Sequence, residues 1–166
     1  MKRARITFTH PKPGDIGWII HRHGVLYAQE YGWNEKFEAL VGKVASEFLR
    51  EHNPKRERCW IARTNGQIVG SVFLVEQSRS TAKLRLLYVE PTARGHGIGG
   101  KLVDRCIRFA RRAGYRKIVL WTNSVLHAAR QIYERAGFKL ERERRYARGE
   151  HGWGNDVVGQ EWSLKL

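Results

Sequence analysis

The sequence predicts an α/β fold, a mixed β-sheet flanked by helices. Three observations point to it. The apolar positions Leu84, Leu86, Leu87 and Val89 lead into a loop carrying Gly95, Gly97, Gly99 and Gly100, and a long amphipathic stretch follows over 98–113; that is strand, glycine turn, helix. Asn65-Gly66 separates two strand-like runs, 59–63 and 67–75, a strong hairpin signal. Residues 116–121 are short and largely apolar and come after a helical pattern, as a buried parallel strand does.

The elements then follow in order. Arg5-Ile6-Thr7-Phe8-Thr9 alternates as a first strand, and Pro11, Pro13 and Gly14 close it. Asp15 is placed to cap a helix over 16–31 carrying Trp18, His21, Tyr27, Glu30 and Tyr31, and Gly32 ends it. Asn34 caps a second helix that runs to Glu51, with Phe37, Leu40, Val41, Val44 and Phe48 as its buried stripe. His52-Asn53-Pro54 stops that helix. After the hairpin comes a turn at 77–80 and a strand over 82–90. The third helix turns Leu102, Val103, Cys106, Ile107 and Ala110 inward and Lys101, Arg105, Arg108 and Arg112 outward. Ser124 opens a fourth helix over 125–136, ended by Gly137. Residues 138–146 and 157–166 read as a final antiparallel pair, and the glycine-rich loop between them is expected to be mobile enough to cover a site. The order is β-α-α-β-β-β-α-β-α-β-β, with right-handed crossovers, in one domain spanning residues 1–166.

Composition narrows the class. At 166 residues and 42% hydrophobic content the chain buries a real core. No apolar run approaches the roughly 20 residues of a membrane helix, and the basic start, Met1 to Ile6, lacks the apolar stretch of a secretory signal. Cys59 and Cys106 lie outside any metal-ligand spacing and read as reduced, buried thiols of a cytoplasmic protein. His21 and His23 have no cysteine or carboxylate cluster at zinc spacing around them, so no metal is expected. The net charge of +15 would attract polyanions. The basic residues are interleaved with Glu134, Glu141 and Glu143, however, and a solvated basic surface is the plainer reading, with nucleic acid not expected as a partner.

The glycine turn carries the chemistry. A helix start leaves backbone N–H groups unpaired, with partial positive charge behind them, and phosphates bind there. The main-chain amides of Gly95, His96, Gly97, Ile98, Gly99 and Gly100 are the candidate phosphate ligands, with Arg94 adding charge or bracing the loop. The Lys-Ser/Thr ending of a nucleotide P-loop is absent, and no carboxylate occupies the 115–119 region where a dinucleotide fold needs one. A tight turn with no ligand is the alternative.

Arg94-x-x-Gly97-x-Gly99 resembles the (Arg/Gln)-x-x-Gly-x-(Gly/Ala) motif of the GNAT superfamily of acyl-CoA-dependent N-acyltransferases. Ile132-Tyr133-Glu134-Arg135-Ala136-Gly137-Phe138 resembles that family's (Leu/Ile)-Tyr-Glu-x-x-Gly-Phe segment, in the expected order. A narrower likeness, to the acetyltransferase half of bacterial MarR–GNAT fusion proteins, is carried by Gly14-Asp15-Ile16-Gly17-Trp18, His21-Arg22-His23-Gly24, the run from Tyr27 to Trp33, and Leu120-Trp121-Thr122-Asn123-Ser124. The winged helix of those fusions has no counterpart in this sequence.

The resemblance implies a splayed mixed sheet with acetyl-CoA as co-substrate in the cleft. The main chain of Leu87, Tyr88 and Val89 is then expected to hold the pantetheine arm and the oxyanion. Tyr133 aligns with the tyrosine that protonates the leaving thiolate. Many members carry an asparagine seven residues earlier; this chain has Leu126 there, and Asn123 is the substitute. Glu30, amid Tyr27, Tyr31 and Trp33 in the region that lines acceptor sites, is the expected base. His21, Tyr27 and Trp33 are the expected acceptor contacts; His21 or His23, as a base or as the partner of a substrate carboxylate, and His151 are the alternatives to Glu30. The implied activity is acetyl transfer to a primary amine, a small molecule or amino acid in preference, with a protein lysine or a non-catalytic CoA-sensing module as alternatives. The oligomeric state, a homodimer included, is left open.

Overall fold

The computed structural model describes residues 5–166, so part of the basic N-terminal segment lies outside the described residues. The strands are β1 (Ile6–Thr9), β2 (Arg58–Thr64), β3 (Gln67–Glu76), β4 (Thr81–Val89), β5 (Lys117–Asn123), β6 (Lys139–Tyr146) and β7 (Val157–Lys165). The helices are α1 (Asp15–Tyr31), α2 (Glu35–Glu51), α3 (Ile98–Arg112) and α4 (His127–Arg135), with a short 3-10 turn at Pro91–Ala93. All seven strands form one sheet in the order β1-β2-β3-β4-β5-β7-β6, antiparallel except for β4 and β5.

Strand alternation divides the core. Trp60, Ala62, Val72 and Leu74 face α3 and α4, while Cys59, Ile61 and Phe73 face α1 and α2. The α3 stripe is buried as its spacing predicts, and Arg105 lies over the Phe8 ring at 4.2 Å.

Several boundaries differ from expectation. Gly14, in a left-handed conformation, is the N-cap of α1, and Asp15 is its first helical residue. The Asp15 carboxylate instead accepts from the Lys12 amide at 2.8 Å and from Arg63. Leu40 is exposed, because it sits at the edge of an open groove outside the buried stripe. β5 runs on to Asn123, and α4 begins at His127. The Asn123 side chain accepts from the Val125 amide at 3.1 Å, and its carbonyl accepts from Leu126; this turn delays the helix. The late loop is docked. Trp153 is 4% exposed against Trp33 and Phe37, Asn34 donates to the Gly152 carbonyl at 2.7 Å, and Asn155 donates to that of Tyr31 at 2.7 Å.

Candidate active site

The parallel pairing of β4 with β5 covers only Thr81–Leu84 opposite Lys117–Leu120. Beyond Leu84, β4 stays with β3 as far as Val89, while β5 follows β7 as far as Asn123. The sheet therefore splays open between them. Just past the last paired residue β4 bulges: Leu86 and Leu87 together oppose Val72, and Leu86 takes a φ of 52°. A leucine in the left-handed region is strained, and such strain gathers at functional sites.

Two cavities fill the splay. The first, about 690 Å³, is lined by Leu87, Tyr88, Val89, Arg94, Gly95, Gly97, Ile98, Gly99 and Gly100 on the β4–α3 side. The far wall comes from α4, with α1 closing one end through Tyr27, Glu30 and Tyr31. Gly97 has a φ of 73° and caps α3 without any side-chain hydrogen bond. The Lys101 amide is the first to bond back, to the Gly97 carbonyl at 3.1 Å, so the amides of Ile98, Gly99 and Gly100 have no intrahelical acceptor. A β-carbon on Gly99 would stand 2.5 Å from Ile132, so glycine there lets α3 and α4 approach. These free amides and the glycine-lined floor fit the diphosphate of an acyl-CoA.

Arg94 braces this loop. Its Nε donates to the Val89 carbonyl at 3.2 Å, and its terminal nitrogens donate to both Glu30 oxygens at 2.7 and 3.2 Å. Arg22 of α1 makes the reverse bridge to Glu90, with bonds of 2.7 and 2.9 Å. His96 is exposed, its Nδ1 3.0 Å from the Arg94 carbonyl, and it does not line the cavity.

The second cavity, about 780 Å³, opens on the face that bears α1 and α2. Tyr27, Trp33, Phe37, Trp121, His151 and Trp153 form an aromatic box there, joined by His23, Asn123 and Tyr133. Tyr27, Leu87 and Leu126 line both cavities. Burial, and then the neighbouring Tyr27, push the Tyr133 phenol well above its ordinary pKa, so it keeps its proton. Burial lowers the His23 imidazole to about 4, so it is neutral at pH 7. Its Nδ1 lies 2.8 Å from the Ile19 carbonyl, an atom that can only accept, so Nδ1 carries the proton. Nε2 is left as a buried lone pair with no partner.

The expected site residues thus divide. Tyr133, Tyr27 and Trp33 reach the second cavity, but Asn123 lies there and not in the glycine-loop cavity, with its oxygen spent on the Val125 amide. Glu30 lies in the glycine-loop cavity, bound to Arg94, and does not line the second cavity. His21 lines neither: it is exposed beside Trp18, because α1 buries Ile16, Ile19, His23 and Leu26. That spacing of three or four residues was the signal that selects His23 over His21. Phe37 and Trp121 read as buried helix and strand positions in the sequence, and Trp153 as part of a mobile loop; the docking of that loop brings Trp153 against them to complete the box.

Residues 23–138 match the Acetyltransferase (GNAT) family, and they include the glycine loop, the bulge and Tyr133. This chain belongs to the GNAT acetyltransferase family. It is 33% identical over 148 residues to probable N-acetyltransferase camello of Xenopus tropicalis, a match covering 82% of this chain and 67% of that protein. It is 41% identical over 83 residues to N-acetylaspartate synthetase of Danio rerio, covering 48% of this chain and 29% of the relative. It spans about half, 46%, of N-acetyltransferase family 8 member 2 of Rattus norvegicus. Among solved structures, yncA of Salmonella typhimurium with its cofactor acetyl-CoA superposes with a TM-score of 0.75 at 19% identity, covering 98% of this chain and 95% of that one. Ribosomal-protein-alanine N-acetyltransferase from Brucella melitensis gives a TM-score of 0.76 at 18% identity, covering 96% and 99%. The splayed seven-stranded sheet is thus the GNAT fold, and the family is one of N-acetyltransferases that use acetyl-CoA.

Proposed function

We propose that this protein transfers the acetyl group of acetyl-CoA to the primary amine of a small molecule or amino acid, by direct attack with both substrates bound. The observation that carries this reading is the shared wall of the two cavities at Tyr27, Leu87 and Leu126. A donor gripped by the glycine loop and an acceptor in the aromatic box meet there without a covalent relay. Cys59 and Cys106 are buried, their thiols pushed up by burial, and neither lines a cavity. The acceptor cavity, at 780 Å³, has the size of a small-ligand site, which favours a small amine over a protein lysine.

Bound acetyl-CoA supplies the acyl group as an activated thioester. The amides of residues 95–100 hold its diphosphate through charge-assisted bonds, each worth about 1.5–3 kcal/mol. Main-chain groups of Leu87 to Val89 on the edge that the splay leaves without β5, other than the Val89 carbonyl held by Arg94, orient the thioester and meet the charge that develops on its oxygen. The Nε2 lone pair of His23 accepts an N–H of the attacking amine, a role for which the sequence put Glu30 first and His23 among the alternatives. Glu30 holds Arg94 in place. Tyr133 gives its proton to the departing sulfur.

Initial-rate kinetics with acetyl-CoA and an amine panel, read by release of free thiol, test the proposal. Intersecting double-reciprocal lines are expected. Parallel lines would show a covalent intermediate and overturn direct attack; no release with any amine would favour a CoA-sensing module.

The narrower likeness to MarR–GNAT fusion halves stays part of this reading on the four segments that carry it. So do a single domain and a cytoplasmic location, the latter supported by the reduced buried cysteines. No described helix is long and apolar enough to cross a membrane.

A further inference from the structure

The acceptor groove continues past the aromatic box. Along β4, on the far side of the bulge from the glycine loop, it runs over Lys83 and Arg85, with Lys117, Val119 and Trp121 of β5 beside them. Lys83 and Arg85 are two residues apart and so share one face of the strand; both are partly buried. Among the described residues neither has a salt-bridge partner. The carboxylates of the groove are engaged elsewhere: Glu161 with Arg142 at 3.0 Å, and Glu141 with the Ser163 hydroxyl. Burial presses both cations toward their neutral forms, and Arg85 adds to the pressure on Lys83; the more distant carboxylates of Glu161, for Lys83, and Glu47, for Arg85, offset this only in part. Two like charges, partly desolvated and without a salt-bridge partner, cost stability in the empty protein. An anion entering the groove relieves that cost, which is how perturbed charged groups come to mark binding sites.

We infer that Lys83 and Arg85 form a subsite for a carboxylate carried by the acceptor amine. This rests on the proposed acetyl transfer and names the class of its acceptor. Arg85 lies two residues from Leu87, where the cavities meet, and Lys83 four; with the bulge between them that is at most about 7 and about 13 Å. Amine and carboxylate therefore stand at opposite ends of an elongated acceptor, whose apolar body crosses Leu86, Val119 and Trp121. A short peptide with a free C-terminus or an ω-amino acid has this shape.

The test compares a dipeptide with its C-terminal amide as acceptors. In the unmodified protein the acid is expected to show a KM at least about tenfold below that of the amide, the worth of one charge-assisted contact, with the advantage shrinking as salt rises. In Arg85→Gln, and separately in Lys83→Gln, the acid-to-amide ratio moves toward one. Either variant suffices if the other does not fold. Equal KM values for acid and amide in the unmodified protein, or ratios in both variants that match it, would overturn the subsite. Calorimetric titration of the same pair in the presence of CoA reads the preference without turnover. Acid-selective binding without acetylation keeps the subsite and defeats the acetyl-transfer reading; acetylation of both compounds without preference, or binding of neither, defeats the subsite.

Discussion

Arg94 and Glu30 clasp each other through two hydrogen bonds, 2.7 and 3.2 Å long, and so fasten the glycine loop to the end of α1. The Arg22–Glu90 bridge fastens the other end of that loop with the charges exchanged. Binding of a diphosphate by main-chain amides needs the loop held in one shape before the ligand arrives, and these pairs supply the hold. The Arg94 and Glu30 side chains are 45% and 26% exposed, so the clasp adds at most about 1 kcal/mol to global stability. Arg94→Ala is therefore expected to unfold within about 1 kcal/mol of the unmodified protein while its KM for acetyl-CoA rises by about fivefold, an effect of similar size. Glu30→Gln should keep kcat within about threefold, since general-base loss costs about a hundredfold or more. A hundredfold fall in kcat would return Glu30 to the role of proton acceptor.

Tyr133→Phe removes the proposed proton donor and leaves its ring against Phe138. The expected result is a fall in kcat of about a hundredfold, with CoA affinity nearly unchanged by calorimetry. Because burial raises this phenol above the ordinary value of 10.0, its acid form persists through pH 10. The pH–rate profile of the unmodified protein should show no alkaline loss from Tyr133 in that range.

The glycine loop can be tested at two positions with different physics. Gly97→Val forces a branched residue to a φ of 73°, at a cost of about 1–2 kcal/mol, and moves the free amides. Gly99→Val drives a side chain into Ile132. Both should weaken CoA binding at least about tenfold, the equivalent of one displaced charge-assisted bond. Unchanged affinity in Gly97→Val would sink the diphosphate assignment.

His23 couples stability to pH. Its folded-state pKa of about 4 lies below the ordinary 6.5, so the unfolded chain binds the extra proton first as pH falls. Stability is intact above pH 6.5 and is lost progressively between 6.5 and 4, by about 3 kcal/mol in total. Urea melts across that window should show the loss, and His23→Leu should flatten it. A flat profile in the unmodified protein would mean that the imidazole is solvated.

Much of the fold was readable from residue order. The hairpin at Asn65-Gly66, the inward stripe of α3 and the strand–turn–helix at the glycine loop depend on neighbours within a few positions, where periodicity and turn chemistry act. The misplacements have local causes that a hydropathy pattern does not contain. Gly14 displaced Asp15 as the cap of α1 through a left-handed conformation, and the Asn123 side chain held α4 back to His127. Leu40 has the spacing of a core residue, but no element covers it.

The cavity at the glycine loop was legible for the same reason as the loop: its floor is main chain, set by where the glycines fall between a strand and a helix. The acceptor cavity was not. Its walls come from the α1–α2 corner, β4, β5 and the last loop, segments separated by most of the chain length, and the sequence contains no statement of which of them meet. His21 and His23 show the limit most plainly. They are chemically identical and two positions apart, yet helix geometry sends them about 200° from each other, and the packing of α1 on the sheet leaves one in water and the other in the groove. Residue type and spacing thus settled which chemical groups exist and which backbone shapes hold them. Convergence of distant segments, driven by burial of the aromatic and aliphatic faces, settled which of those groups share a cavity.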